Sequence, residues 1–224
     1  MFRSRLLIAP CLIGALLAWS GPAAADLWPP PWAKPRHHRK LVTPSGPAQD
    51  FRVKGFRSAV FGMDQGQVLG AIAKDFHVPA EQVQTTVTPL DRTTVLTATV
   101  LGLDPGPGAA KVSYVLGAGS RRLVRVAVIW ETATASERAS LIDDGQILVN
   151  YFKAQTWEKD ATEGRAPLEA GGLSLFSGED PDGAAVEVAV QGSDGPSAPP
   201  TALTVTYIQD VDHPDIYRLP EGAF

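Results

Sequence analysis

The chain has 224 residues, of which 44% are hydrophobic and 20% charged, and its formal net charge is −4. Hydrophobic content at this level excludes wholesale disorder, and 21 Gly with 19 Pro in no regular period exclude a fibrous chain. The acidic excess leaves no overall basic field to attract phosphates, so we expect a globular protein with no nucleic-acid partner.

The first 25 residues have the three zones of a secretory signal peptide. Arg3 and Arg5 supply positive charge, residues 6–19 are almost all apolar, and residues 23–25 offer an A-x-A cleavage site. Because a helix that spans a bilayer needs about 20 apolar residues, this stretch is too short to be a membrane anchor. The sequence therefore predicts an exported protein, with the periplasm as the default destination and secretion beyond it as the alternative.

Cysteine usage restricts the chemistry of the mature chain. Cys11 is the only cysteine in the sequence and lies within this leader. We expect the mature chain to begin at Asp26 without a thiol, which excludes disulfides, thiolate metal sites and cysteine nucleophiles. The sequence also contains no Gly-x-Ser-x-Gly nucleophile motif, and we expect no cofactor.

Residues 26–50 form a proline-rich basic arm in front of an acidic body. Their proline spacing favours an extended linker. Six of the 20 Lys and Arg and two of the 24 Asp and Glu lie in residues 1–50, so residues 51–224 hold 14 against 22, a net charge of −8. Contact with anionic lipid or polysaccharide is one interpretation of the arm, and a solvated spacer is the other. The residues that would make this contact are Trp28, Trp32, Lys34, Arg36, Arg39 and Lys40.

The first part of the folded chain, residues 51–133, is predicted as one helix followed by a meander of strands. Helical spacing of apolar residues over 65–76, with Asp64 as the N-cap, predicts a helix that Pro79 ends. Alternating apolar residues then predict strands at 83–87, 93–100, 112–116 and 123–130, with residues 117–120 as a hairpin connection.

The second part, residues 134–210, repeats this order and is followed by a tail at 211–224. We expect a helix over 136–157, capped by Thr134 or Ser136, and strands at 173–176, 185–190 and 203–208. The fold class predicted is α+β, with helices packed on one face of antiparallel sheet. Two tandem helix-plus-meander units, side by side or sharing one sheet, are one interpretation, and hairpins that are alike without duplication are the other.

Residues 61–68, Phe-Gly-Met-Asp-Gln-Gly-Gln-Val, resemble a short helix start found in small periplasmic α+β proteins. These include the BamE-like (SmpA/OmlA) outer-membrane assembly lipoproteins and proteins with the tandem β-lactamase-inhibitor-protein fold. The resemblance implies a non-enzymatic recognition module of the cell envelope. The chain departs from the first group by lacking a usable lipobox cysteine, and from the second by lacking its disulfides.

Two clusters of charged residues are candidate sites. Arg121, Arg122 and Arg125 lie close together on one hairpin of an acidic protein and are candidates to bind a partner that carries carboxylates. The second cluster combines three carboxylates with an imidazole, the groups that a divalent cation or a general acid–base needs. Its members are Asp210, Asp212, His213 and Asp215.

The sequence favours an exported, cofactor-free module that binds another envelope protein by surface complementarity. The alternative is a metal-dependent hydrolase that uses the cluster at 210–215. An enzyme is the less favoured of the two, and the sequence does not indicate an oligomeric state.

Overall fold

A computed structural model describes residues 51–132, 134–157, 161–167, 172–192 and 200–218. Within these ranges the protein is a mixed α+β structure dominated by a large antiparallel sheet, which confirms the predicted fold class at that level. The predicted signal peptide and the six candidate residues of the basic arm lie outside the described residues.

Helix α1, Gln65–Phe76, begins where the sequence predicts. The Asp64 side chain accepts a hydrogen bond from the Gln67 amide, and the Gln67 side chain accepts one from the Asp64 amide, so each satisfies a donor that the helix cannot. The helix ends at His77, which has a left-handed φ of 58°, and therefore before Pro79.

Helix α2, Ala135–Lys153, begins at Thr134, one of the two predicted caps. Thr134 and Glu137 form the same reciprocal pair of hydrogen bonds as at α1. The helix ends four residues before the predicted end, in a turn where the Phe152 carbonyl accepts from the Gln155 amide at 3.0 Å and from the Trp157 indole at 2.9 Å.

The seven predicted strands are all present, and three further ones were not predicted. The predicted strands are β3 (Gln84–Val87), β4 (Thr94–Leu101), β5 (Ala109–Leu116), β6 (Leu123–Glu131), β8 (Leu173–Glu179), β9 (Ala185–Gly192) and β10 (Pro200–Ile208). The others are β1 (Gly55–Phe56), β2 (Ala59–Val60) and β7 (Thr162–Pro167). The main sheet has the order β3-β4-β5-β6-β10-β9-β8-β7, so the last strand in sequence lies near its centre.

One face of this sheet carries the hydrophobic core. In a row across β4, β5, β6 and β10, Leu96, Tyr114 and Val126 are fully buried and stand in register with Tyr207. Both helices add buried side chains to the same cluster, and the β1–β2 hairpin contacts it through Phe56, whose ring lies 5.4 Å from that of Tyr207.

The next row of side chains belongs to the opposite face. Thr97, Ser113, Ala127 and Thr206 are in register there and are only half-buried. Small residues of this kind suit a face that is not packed under a helix, and neither described helix lies on it. Because Thr204 and Ala189 of the same face are buried, we call only the part formed by this row and by Arg125 the uncovered face. None of the helices in the described ranges is long and apolar enough to cross a membrane.

Candidate functional site

The segment that follows β10 is a strap across one end of the sheet. We call residues 209–218 the C-terminal strap. It connects β6, the β8–β9 turn, the β5–β6 hairpin and the β3–β4 turn, all of which meet at this end. Its backbone hydrogen bonds are Gln209 N to Val124 O at 2.9 Å, Val211 N to Gly183 O at 3.4 Å, Ala118 N to Asp215 O at 2.9 Å and Tyr217 N to Asp91 O at 2.8 Å. The described part of the predicted tail, residues 211–218, is therefore bound to the body.

Asp215 fixes the strap to the β5–β6 hairpin. Its two carboxylate oxygens accept from the Gly119 amide at 2.8 Å and the Ser120 amide at 2.9 Å. The Ser120 hydroxyl, together with these amides, holds the pKa of the Asp215 carboxyl below its usual range. A Cβ at Gly117 would overlap the same carboxyl group, so a glycine is needed there for the strap to approach.

The start of the strap is organised by a second carboxylate. Asp210 Oδ1 accepts from the Asp212 amide at 3.0 Å and the His213 amide at 2.8 Å. The His213 amide is the main cause of a lowered pKa at Asp210, and His213 Nδ1 lies 3.4 Å from the same oxygen. The His213 side chain is 85% exposed, so this arrangement is an exposed turn.

The predicted metal cluster does not form in this geometry. Across the described ranges, no three or more His, Cys, Asp or Glu side chains are placed to hold a metal ion. Asp210 and Asp215 instead accept hydrogen bonds from backbone amides, and Asp212 and His213 are exposed. The carboxylate-rich pattern thus reflects turn capping.

The side chains of the three candidate arginines have different neighbours. The Arg121 side chain lies 3.4 Å from the Thr94 hydroxyl, and Arg122 pairs with Asp64 at 3.5 Å beside the start of α1. Arg125 is exposed, stands in the register row of the uncovered face, and has no ion-pair partner in the described part of the chain. Of the three, Arg125 is the one that lies on the uncovered face without an ion pair among the described residues.

A cleft of about 220 Å³ joins parts of the two predicted clusters. It lies between the strap and the uncovered face, where Arg125, Val115 and Ile208 form its floor. Asp210, His213 and Asp215 are among the strap residues that line it. Asp91 lines the cleft as well, and Arg125 forms no ion pair with any of these carboxylates among the described residues.

A second concavity was not predicted from the sequence. Residues 51–57 line it together with Tyr151, Phe152 and Tyr207, and it measures about 260 Å³. The available signal was three basic residues and two phenylalanines within residues 51–57, directly after the basic arm. The sequence places residues 51–57 at the start of the folded part, and in the structure they form one wall of a pocket.

No relative indicates a function for this chain, so its function is inferred from the chemistry of its residues. In comparisons with protein-family models, curated proteins and solved structures, the chain matches none. The resemblance of residues 61–68 to BamE-like and inhibitor-like proteins stays a prediction.

Proposed function

We propose that the protein is an exported, cofactor-free module of the cell envelope that binds an acidic segment of another envelope protein on its uncovered face. The observation that carries the proposal is Arg125, which is exposed, has no ion pair in the described ranges and borders a cleft. A guanidinium binds a carboxylate through two parallel hydrogen bonds, and such pairs are common anchors of interfaces.

The character of the uncovered face supports this proposal. Its small side chains allow a partner to approach the sheet closely, and Thr97 and Ser113 retain hydroxyls that lie 3.2 Å apart and can bond a partner as well. The body has a net charge of −8, so an exposed arginine is a local exception that would select where an acidic segment docks.

Site-specific photocrosslinking in living cells tests this proposal. A photoreactive phenylalanine at Thr206 samples the uncovered face, and one at Ile142, which is 41% exposed on α2, samples the covered side as a matched control. We expect one protein adduct at position 206, identifiable by mass spectrometry, that is lost in the Arg125→Glu variant. An adduct that persists in this variant, or that appears equally at position 142, would contradict the proposal.

The predicted contact of the basic arm with anionic lipid or polysaccharide is a separate proposal. The charges of Lys34, Arg36, Arg39 and Lys40 support it, and contact through them would weaken as salt rises. Flotation with anionic vesicles, with and without residues 28–40, is the measurement. Binding that survives the deletion or ignores salt would leave the arm as a spacer.

We also propose that residues 51–133 and 134–210 are two tandem units sharing the sheet. The order of the elements supports this proposal. Helix α1 precedes β3–β6, α2 precedes β7–β10, and the last strands of the two sets, β6 and β10, are neighbours in the sheet. Superposition of the two four-stranded sets is the test. Helices that then coincide support duplication, and helices that fall at unrelated positions contradict it.

A further inference from the structure

The pocket beside residues 51–57 has an aromatic floor. The Phe56 ring lies 5.4 Å from the Tyr207 ring, and the Phe152 ring lies 6.3 Å from it on the other side. Tyr151 contacts Phe152 edge to face at 5.1 Å and is 40% exposed. At about 260 Å³, the space is somewhat smaller than a typical drug-sized site, so it suits a ligand of one or two rings.

The charge of this pocket is opposite to that of the body. Arg52, Lys54 and Arg57 line it, and no acidic side chain of the described residues does. Arg52 lies 3.4 Å from Asp182, whose side chain is 75% exposed. Lys54 and Arg57 have no ion-pair partner among the residues that the structure describes. Two cations beside an aromatic floor are therefore available to a ligand.

The Arg57 guanidinium contacts two phenylalanine rings and has no acidic partner among the described residues. Its guanidinium carbon lies 4.7 Å from the centre of the Phe76 ring and 5.8 Å from that of Phe56, and these two rings are themselves stacked. A guanidinium that stacks on aromatic faces keeps its N–H groups, which point outward in its own plane, free to donate. The stacking thus positions an arginine whose hydrogen-bond donors have no acceptor in the described chain.

The Tyr207 hydroxyl is a neutral hydrogen-bond donor in the same pocket as these cations. Burial, together with the nearby Tyr151, raises the pKa of the Tyr207 hydroxyl well above its usual range, so the hydroxyl keeps its proton. No hydrogen-bond partner for this hydroxyl is found within the described ranges. An anion in the pocket would supply the acceptor that it lacks.

We infer that this pocket binds a small organic anion with a flat apolar body, whose carboxylate or phosphate contacts Arg57 and Lys54 while its body lies on Phe56 and Tyr207. The inference is independent of the proposed protein partner, because the pocket lies on the covered side of the sheet and shares no lining residue with the cleft at Arg125.

Calorimetric titration with cinnamate, and with cinnamamide as its uncharged analogue, tests the inference. We expect cinnamate to bind about tenfold or more tightly than the amide, because only the carboxylate makes charge-assisted hydrogen bonds. Phenyl phosphate is the third probe, and its affinity relative to cinnamate distinguishes a phosphate ligand from a carboxylate ligand. Equal binding of cinnamate and its amide, or no binding of either anion at millimolar concentration, would overturn the inference.

Two matched variants locate the binding. Arg57→Gln should weaken cinnamate binding about tenfold. Arg92→Gln is the control, because Arg92 has the same φ of 54° and also stacks on a ring, that of Tyr217 at 3.6 Å, but lies on the β3–β4 turn. Amide chemical shifts of the unaltered protein give a readout that does not depend on variant folding. Shifts at residues 51–57 and 151–152 support the assignment, and shifts confined elsewhere refute it.

Discussion

Asp180 and Asp215 both accept hydrogen bonds from the backbone amides of turns, but they differ in their exposure to solvent. Asp180 is 1% exposed in the β8–β9 turn and accepts from the amides of Val53, Asp182 and Ala184 at 2.7, 2.9 and 3.0 Å. Asp215, on the strap, accepts from two amides of an exposed hairpin. Each carboxylate orders a turn and ties a distant segment to it.

The difference between them lies in what happens when the carboxylate is lost. Amides exposed near Asp215 can bond to water instead, whereas the buried amides of Val53 and Ala184 cannot. A capping carboxylate is therefore worth most where the donors it serves are cut off from solvent. The two sites together test that rule within one chain.

The largest effect is expected at Asp180. Asp180→Ala leaves three amides without an acceptor, two of them in buried bonds, and should lower the free energy of unfolding by about 3 kcal/mol or more. Asp180→Asn keeps one oxygen for Asp182 and Ala184 but loses the one that serves Val53, so an intermediate loss is expected. Urea denaturation measures both, and equal stability of the alanine variant and the unaltered protein would refute the capping role.

A smaller loss is expected at Asp215. Asp215→Ala should cost about 1 kcal/mol, because water replaces the carboxylate at exposed amides. Gly117→Ala should have a similar effect by a different route, since its methyl group occupies the space of the Asp215 carboxyl. The same denaturation measurement applies. A loss at Asp215 larger than that at Asp180 would reverse the comparison.

Acid titration sharpens the interpretation of Asp215. Its pKa in the folded chain is lowered, so its contribution to stability is complete above the ordinary aspartate pKa of about 4 and is lost as pH falls toward the lowered value. The difference in unfolding free energy between the unaltered protein and Asp215→Asn should therefore shrink between about pH 5 and pH 2. Asp210, which also has a lowered pKa, is present in both proteins and cancels. A constant difference across this range would show that the charge is not involved.

Tyr114 provides the converse case, a buried polar group without a partner. Its side chain is fully buried, and its hydroxyl has no hydrogen bond in the described structure. Tyr114→Phe removes that hydroxyl and should raise the melting temperature, with a gain of up to about 1 kcal/mol. Val126→Ala in the neighbouring strand, which creates a cavity, should lower it and is a control for core damage. Destabilisation by Tyr114→Phe would indicate a bond that the hydroxyl makes.

The smallest effect is expected for the pair of Arg122 and Asp64. Their side chains are 3.5 Å apart and about half exposed, so the coupling should be below about 0.5 kcal/mol. A double-mutant cycle with Arg122→Gln and Asp64→Asn isolates that coupling from the capping role of Asp64. A coupling as large as the loss at Asp215 would show that exposure is a poor guide here.

Much of the fold could be predicted because its signals are local. The cap of α1 joins residues three apart, and strand β6 alternates buried and partly exposed residues along a single stretch. Strand β7 could not be found in this way, since its residues Thr-Glu-Gly-Arg-Ala-Pro favour a turn and only pairing with β8 makes them a strand.

The candidate site could be predicted only in part, because its contacts are distant in sequence. Asp215 and Gly119 are 96 residues apart, and Asp180 and Val53 are 127 apart. A carboxylate that will accept backbone amides has the same sequence signature as one that will bind a metal. The sequence therefore singles out the residues at 210–215 but does not distinguish turn capping from the alternative of a metal site, and no metal-ligand group is found among the described residues.

The central position of β10 has a consequence for how the chain is made. Strand β6 gains its second neighbour only after β10, which pairs with it further along the chain through Ala202–Ile208, has been synthesised. Until then the growing polypeptide exposes an unpaired strand edge in what becomes the middle of the sheet, which is the part most prone to aggregation. The sheet cannot be completed before β10 has been made, so a holding chaperone would be useful until then.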